Sequence, residues 1–279
     1  MVLAFAAWWR GIRRSLAVLI VLLAGPAQAD PAHILGLLQT DQLFEILQQE
    51  GEAYGEELAA ELFEAPPDTM WRAEISMINA PDRLRALFDE RFSAALGAQS
   101  QDGIAEFYSA ELGHRIVTLE LEARRAMLDD AVEDVALAAF DAALGQDDPR
   151  ALAILELMQA ADLIEPNVTG GLNANLAFYR ALVEGGAFPY EITEQDMLAD
   201  VWAQEEQVRE EMLSWLGSYL FLAYAPLSDA ELAAYHDFAA SPVGRDLTGA
   251  LFAGFDPVFE RVSRDLGMAA ARRMRAQQL

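Results

Sequence analysis

The chain has 279 residues, with 19 basic and 45 acidic side chains, a net charge of −26 and no cysteine. Because nucleic-acid binding depends on Lys and Arg that neutralise phosphates, this excess of acid excludes a nucleic-acid partner. The absence of cysteine excludes disulfides, Cys-ligated metal centres and a cysteine nucleophile, so the fold must be held by packing alone.

The N-terminal segment 1–29 predicts a cleavable signal peptide. Arg10, Arg13 and Arg14 precede the apolar run 16–24, and the small residues of the triplet 27–29 place cleavage after Ala29. The uncharged stretch 15–29 is shorter than the roughly 20 apolar residues that a membrane anchor needs. We therefore predict export to the bacterial periplasm, by the general or the twin-arginine route, and no stable membrane span after cleavage. Removal of this segment takes away three Arg and no acid, which changes the net charge from −26 to −29.

The mature chain, from residue 30 onward, predicts an all-α fold of about ten helices. Apolar residues recur at spacings of three and four, and alternating strand patterns are hard to find. Such stripes are the faces with which helices pack on their neighbours. The clearest are Leu84, Leu87, Phe88, Phe92 and Ala95; Leu128, Val132, Val135 and Ala139; and Val258, Phe259, Val262 and Leu266.

Helix boundaries are predicted from capping residues and from glycines. Ser228 and Glu231 have the spacing of a capping box, and the pairs 148–149, 241–242 and 256–257 place Asp or Ser before a proline in the first helical position. Glycines then mark the expected helix ends, at Gly145, Gly185, Gly186 and Gly254.

A weak internal similarity divides the mature chain near Gly145. When residues 70–116 are aligned without gaps with residues 201–247, matched pairs include Trp71 with Trp202, Phe107 with Phe238 and Gly113 with Gly244. Repeat architectures commonly keep packing residues while the rest diverges. We therefore predict two related helical halves, residues 30–145 as a degenerate copy and residues 146–279.

The second half carries a motif that resembles a known family. Residues 227–232 read L-S-D-A-E-L, and Phe238–Gly244 reads F-A-A-S-P-V-G. This segment resembles an uncharacterised family of exported bacterial proteins, a domain of unknown function whose hallmark is a helix ending in F-x-x-S-P-x-G. The segments 178–182 and 251–255 are similar to alphaproteobacterial members with a two-part layout. The resemblance implies an all-helical exported protein without assigned catalytic residues. In the first half Ala110 and Glu111 replace the Ser-Pro pair.

The motif itself predicts a tight corner between two helices. Phe238 is expected on the buried side of the first helix, Ser241 caps the second, Pro242 begins it, and Gly244 allows the two helices to approach closely. The alternative is a serine nucleophile at Ser241, which would need a general base such as His236 within hydrogen-bond reach. We favour the structural interpretation.

Metal and cofactor sites are not predicted. The three histidines, His33, His114 and His236, lack the spacing of a helical zinc motif, and no acidic cluster follows the EF-hand pattern for Ca²⁺. The clusters are interpreted as solvated helix faces: Glu50, Glu52, Glu56 and Glu57; Asp129, Asp130, Glu133 and Asp134; and Glu205, Glu206, Glu210 and Glu211.

The segment 212–227 is apolar on nearly every side, which predicts a central core helix. Its aromatic residues with polar tips, Trp215, Tyr219 and Tyr224, are also candidates for a homodimer seam or for the wall of an apolar ligand pocket. The sequence assembles no catalytic constellation. We therefore predict a non-enzymatic binding or scaffold protein that acts on an envelope protein or on itself, with a carrier of a small apolar ligand and an unrecognised hydrolase as alternatives.

Overall fold

The structure, a computed structural model, describes residues 30–64 and 66–277, and within them the fold is all-α. The predicted signal peptide lies outside the described residues. The described part contains thirteen helices, somewhat more than the ten or so that the sequence predicts. They are α1 Pro31–Leu37, α2 Thr40–Leu62, α3 Thr69–Ile78, α4 Pro81–Ala95, α5 Ala98–Ser109, α6 Glu111–Ala126, α7 Asp130–Leu144, α8 Pro149–Ala160, α9 Ile164–Glu184, α10 Glu194–Trp202, α11 Glu205–Tyr224, α12 Asp229–Ala240 and α13 Pro242–Gln277.

The hydrophobic core consists of two clusters of buried side chains. The first cluster lies among α1 to α5, α9, α10 and α13, and the second among α7, α8 and α12. Helices α6 and α11 contribute residues to both clusters. Each cluster also draws residues from both sides of Gly145, and the division into two related halves stays a prediction. No helix of the described part is long and apolar enough to cross a membrane.

Most predicted helix boundaries are confirmed by the hydrogen bonds at the helix ends. Ser228 and Glu231 form a complete capping box at the start of α12, and the Asp148 carboxylate accepts from the Arg150 and Ala151 backbone N–H groups at the start of α8. Such caps satisfy N–H groups that the first turn leaves without partners. At the end of α9, Gly186 has a φ of +72°, a left-handed conformation that glycine adopts without strain.

The predicted boundary at residues 254–257 is wrong, because α13 continues through it for 36 residues. Gly254 serves close packing instead of ending a helix: a Cβ at this position would lie 2.6 Å from the Phe88 ring of α4. Pro257 removes one backbone donor from the helix interior. The extensive packing of α13 on α4 and α9 accounts for the continuity of the helix across this proline.

One of the three predicted apolar stripes is wrong in its second part, although Leu128 and Val132 pack against the core. In α7 the buried residues are Ala136 and Phe140, whereas Val135 is 68% exposed and Ala139 is exposed. The apolar residues of α7 cover more than one face, so periodicity alone did not identify the side that contacts α11. The stripes of α4 and α13 are largely buried, although Ala95 is exposed.

Candidate functional site

The three aromatic candidates of α11 lie in the interior. Trp215, Tyr219 and Tyr224 are each 1% exposed, and the rings of Trp215 and Tyr219 are stacked with centroids 5.5 Å apart. Helix α11 packs against α6, α7, α8 and α9, which covers it on most sides. Gly217 permits the approach of α7, because a Cβ there would lie 2.2 Å from the Phe140 ring. The prediction of a core helix therefore holds for most of this segment.

The hydroxyl groups of these tyrosines converge on a buried carboxylate, Glu120 of α6. The Tyr224 hydroxyl donates to the Glu120 carboxylate, and the Tyr235 hydroxyl of α12 lies 3.4 Å from the same oxygen. The Tyr219 hydroxyl donates to the Glu120 backbone carbonyl at 3.1 Å. Glu120 is 2% exposed, so the hydroxyl groups of Tyr224 and Tyr235 replace water that the carboxylate loses on burial.

A buried ion pair lies next to this carboxylate on the same helix. Arg124, 1% exposed, donates two hydrogen bonds to Glu50 of α2, at 2.8 and 3.0 Å. The guanidinium carbon also lies 6.0 Å from the Trp215 ring centroid. A buried pair of this kind is a weak net contributor to stability, but loss of one partner would leave an uncompensated buried charge.

Protonation in the cluster follows from burial and from the neighbouring charges. Burial, and next the charge of Glu120, raises the pKa of Tyr219, Tyr224 and Tyr235 well above the ordinary value. Burial alone would lower the pKa of Arg124, but Glu50 outweighs it and the pKa of Arg124 is raised. The tyrosines are thus neutral hydrogen-bond donors, and the arginine stays charged.

This buried cluster of Glu50, Glu120, Arg124 and the three tyrosines is enclosed by protein. The cavity beside Tyr224 and Tyr235 measures about 10 Å³, room for about one water molecule. Because Trp215, Tyr219 and Tyr224 are covered within one chain, they offer no surface for the homodimer seam considered from the sequence.

Sequence reasoning missed Glu50, Glu120 and Arg124 as buried residues. The interpretation of the first acidic cluster as a solvated face is wrong for Glu50, which is 3% exposed. A usable signal existed: Glu50 stands one helical turn from both Ile46 and Tyr54, and all three lie on one buried face of α2. An acidic residue in the middle of an apolar stripe therefore indicates a buried partner that the sequence does not identify.

The F-x-x-S-P-x-G segment forms the corner between α12 and α13. The Ser241 hydroxyl accepts a hydrogen bond from the Gly244 backbone N–H at 3.0 Å, and Pro242 is the first residue of α13. A Cβ on Gly244 would lie 2.2 Å from the Phe238 carbonyl oxygen. These contacts agree with a capped, closely packed corner, in which Ser241 is an acceptor for the backbone.

The first-half counterpart forms the corner between α5 and α6, and the two corners touch. A Cβ on Gly113 would lie 2.6 Å from the Phe107 carbonyl oxygen, a close approach of the same kind as at Gly244. The rings of Phe107 and Phe238 are stacked with centroids 3.8 Å apart and an angle of 6° between their planes. The two motif phenylalanines therefore pack directly on each other.

The remaining polar candidates lie mostly on the surface. His114 and His33 are exposed, and His236 has its nearest acidic contact at Asp237, 3.5 Å away. Within residues 30–64 and 66–277 no group of three or more His, Asp or Glu side chains is placed to hold a metal ion.

Large apolar side chains are exposed at several points of this charged surface. The most exposed is Met70 at 81%, followed by Val135 at 68% and Met77 at 65%; Trp202 and Tyr190 are each 54% exposed. Met70 and Met77 belong to α3, which borders a groove of about 500 Å³ shared with α2. These side chains contrast with the enclosed aromatics of α11.

The C-terminal arginines pair with acidic residues near α3. Arg272 pairs with Glu74, and Arg273 pairs with Asp68 at 3.0 Å while its guanidinium carbon lies 5.0 Å from the Phe63 ring centroid. The Asp68 pKa is lowered, mainly by the hydrogen bond from Arg273. These contacts attach the end of α13 to the region of α3.

Comparison with known proteins found no matching family model, no matching curated protein and no matching solved structure. The resemblance of the α12–α13 corner to an exported family therefore stays a prediction.

Proposed function

We propose that this chain is an exported, periplasmic, non-enzymatic binding or scaffold protein of the bacterial cell envelope. The observation that carries the proposal is the pair of large apolar side chains, Met70 and Met77, exposed along one helix of a strongly acidic protein. Neighbouring apolar side chains that form one exposed patch rimmed by polar groups are typical of protein interaction sites.

Export is the part of the proposal that rests on the N-terminal sequence. Positive charge, an apolar run and small residues before Asp30 are the parts of a signal peptide in the expected order. The net charge of −29 after cleavage favours solubility in the periplasm and disfavours contact with anionic lipids.

We also propose that the two halves arose by duplication. The gap-free alignment that matches the Phe and Gly positions of the two corners also matches α5 with α12. Both ends of these two helices coincide in it, and so do the first residues of α6 and α13. This agreement of helix boundaries around the two corners supports the proposal independently of residue identity. It does not extend to the matched tryptophans, since Trp71 is 2% and Trp202 54% exposed.

Native mass spectrometry of the protein taken from the periplasm of its own host tests the binding proposal. We expect a chain that begins at Asp30 and carries a protein partner. A bound mass of a few hundred daltons would instead establish the carrier alternative, and a chain that begins at Met1 would contradict export with cleavage.

A further inference from the structure

We infer that the groove between α2 and α3 docks a basic amphipathic helix of a partner protein, together with the methionine ridge beside it, which consists of Met70, Ala73 and Met77. The inference rests on the proposed binding function and names the chemistry of the partner. The groove measures about 500 Å³ and is lined by Glu52, Ala53 and Glu56 of α2 and by Arg72, Ala73, Ile75 and Ser76 of α3.

The ridge is an apolar line along the outer side of α3. Met70, Ala73 and Met77 follow the spacing of i, i+3 and i+7 and lie on one helix face, and all three are exposed. Ala73 belongs to both the ridge and the groove. Methionine is flexible and polarizable, so a methionine surface adapts to the apolar side chains of a docking helix.

Close contacts between α2 and α3 fix the relative position of the two helices that form the groove. A Cβ on Gly51 would lie 2.2 Å from the Asn79 side chain, and one on Gly55 would lie 2.6 Å from Ile75. The Trp71 indole N–H donates to the Gly55 carbonyl at 2.9 Å. These contacts fix α2 against α3, so a partner meets a groove that is already formed and loses little to ordering it.

Charge decides the kind of partner. Helix α2 carries seven acidic residues and no basic residue; Glu50 is buried in its pair with Arg124, and Glu52 and Glu56 line the groove. Arg72 is the one basic side chain that lines the groove, and it is paired with Glu56 at 2.6 Å. Beyond the ridge, Arg272 and Arg273 are paired with acids in the same way.

A second copy of the chain is a poor occupant, because a net charge of −29 after cleavage would bring acid against acid. An amphipathic helix with an apolar ridge and flanking Lys or Arg meets both the methionines and the acidic wall. Helices bind grooves in this way through apolar anchors at i, i+3, i+4 and i+7.

The test uses the mature protein and two synthetic helical peptides with the same leucine ridge, one with Lys and one with Glu at its polar positions. Binding is measured by calorimetry at about 0.15 M salt, where long-range attraction is largely screened. We expect the Lys peptide to bind and the Glu peptide not to bind. Double substitution Met70→Ser and Met77→Ser should weaken binding of the Lys peptide about tenfold, and Glu52→Gln about threefold.

Val135→Ser is the matched control, since Val135 is an equally exposed apolar residue on α7, away from the groove. It should change the affinity less than about twofold. Equal weakening by Val135→Ser and by the methionine variant, or unchanged binding in the methionine variant, would overturn the docking site. A protein partner found by native mass spectrometry and retained by the methionine variant would also overturn it while leaving the proposed function intact.

Discussion

The two corners, α5–α6 and α12–α13, have the same close approach between consecutive helices but differ in how the second helix is capped. In both, the residue between the helices has an extended backbone, with φ and ψ of −70° and 154° at Ala110 and −69° and 160° at Ser241. The second corner has a side-chain cap and a proline, and the first has neither. The shared parts are the phenylalanine and the glycine, so these set the geometry while the Ser-Pro pair adds stability.

The helices that leave the two corners differ more. Helix α6 ends at its sixteenth residue, Ala126, whereas α13 continues past its sixteenth residue, Pro257, and ends at Gln277. The extension of α13 packs on α9, where a Cβ on Gly267 would lie 2.5 Å from the Phe178 carbonyl oxygen. Tertiary packing therefore decides where these helices end, beyond what the local sequence signals.

The largest expected effect comes from the two corner glycines. Gly113→Ala and Gly244→Ala each place a Cβ against backbone atoms of the preceding helix, which cannot move aside as a side chain can. Each should lower the free energy of unfolding by about 3 kcal/mol, measured by urea denaturation.

Gly249→Ala is the control for the glycine variants, because it lies on α13 and a Cβ there meets no atom within 4 Å. It should raise stability by up to about 1 kcal/mol through helix propensity. Equal stability of Gly113→Ala and wild type would show that the first corner does not depend on close approach.

The stacked phenylalanines couple the two corners. Phe107→Ala and Phe238→Ala should each cost about 2 to 3 kcal/mol, and the double variant should cost about 1 kcal/mol less than their sum, because the ring contact is lost only once. A double-mutant cycle in urea measures this coupling. Strict additivity would contradict a direct energetic link between the corners.

Asp256 precedes Pro257, near the position at which α13 continues although α6 ends at the corresponding distance from its first residue. Burial, with a contribution from Glu260, raises the pKa of Asp256 to about 6. In the folded protein the protonated Asp256 carboxyl is favoured. Its contribution to stability is therefore fully present below the ordinary pKa of Asp and is lost as the pH rises through about 6. With allowance for partial exposure, Asp256→Asn should therefore stabilise the protein by about 1 to 2 kcal/mol at pH 8 and hardly at all at pH 4.

Urea unfolding at both pH values measures the Asp256 effect. The exposed residue Asp134 on α7 supplies the control, and Asp134→Asn should show no comparable difference between the two pH values. A gain from Asp256→Asn that is the same at pH 4 and pH 8 would mean that ionisation of this carboxyl is not its cause.

The smallest effects come from exchanging the cap residues. Ser241→Ala should cost about 1 kcal/mol, since the Gly244 N–H loses its acceptor. Ala110→Ser should gain up to about 1 kcal/mol by supplying the missing cap in the first corner. Thermal unfolding of both variants measures the exchange, and a Ser at position 110 without any gain would show that the two corners differ in backbone detail.

Much of the fold could be predicted from the sequence because helix periodicity and capping are local. The capping box at Ser228, the cap at Asp148 and the end of α9 at Gly185 are all set by neighbouring residues. The prediction of a helix end at Gly254 is wrong because this glycine allows close contact with Phe88, which belongs to a helix far away in the chain. Local signals do not distinguish a glycine that ends a helix from one that admits a neighbour.

The candidate sites were predictable to a smaller degree. The burial of Trp215, Tyr219 and Tyr224 could be predicted because their helix is apolar on nearly every side. The burial of the Glu120 carboxylate beside these tyrosines could not be predicted in this way. Glu50 and Arg124 are 74 residues apart, and their pairing depends on how α2 and α6 cross. The exposed ridge of Met70 and Met77 is likewise a tertiary result, because methionine in a helix normally predicts core.

The packing of α4 on α13 and of α11 on α6 joins the parts of the chain before and after residues 145–148. The two parts therefore share their packing surfaces along several helices instead of forming separate cores. A protease that cuts this short connection would leave a nicked molecule that still elutes as one species and separates into fragments only in denaturant. A gene divided at the same point should yield two polypeptides that assemble when they are expressed together.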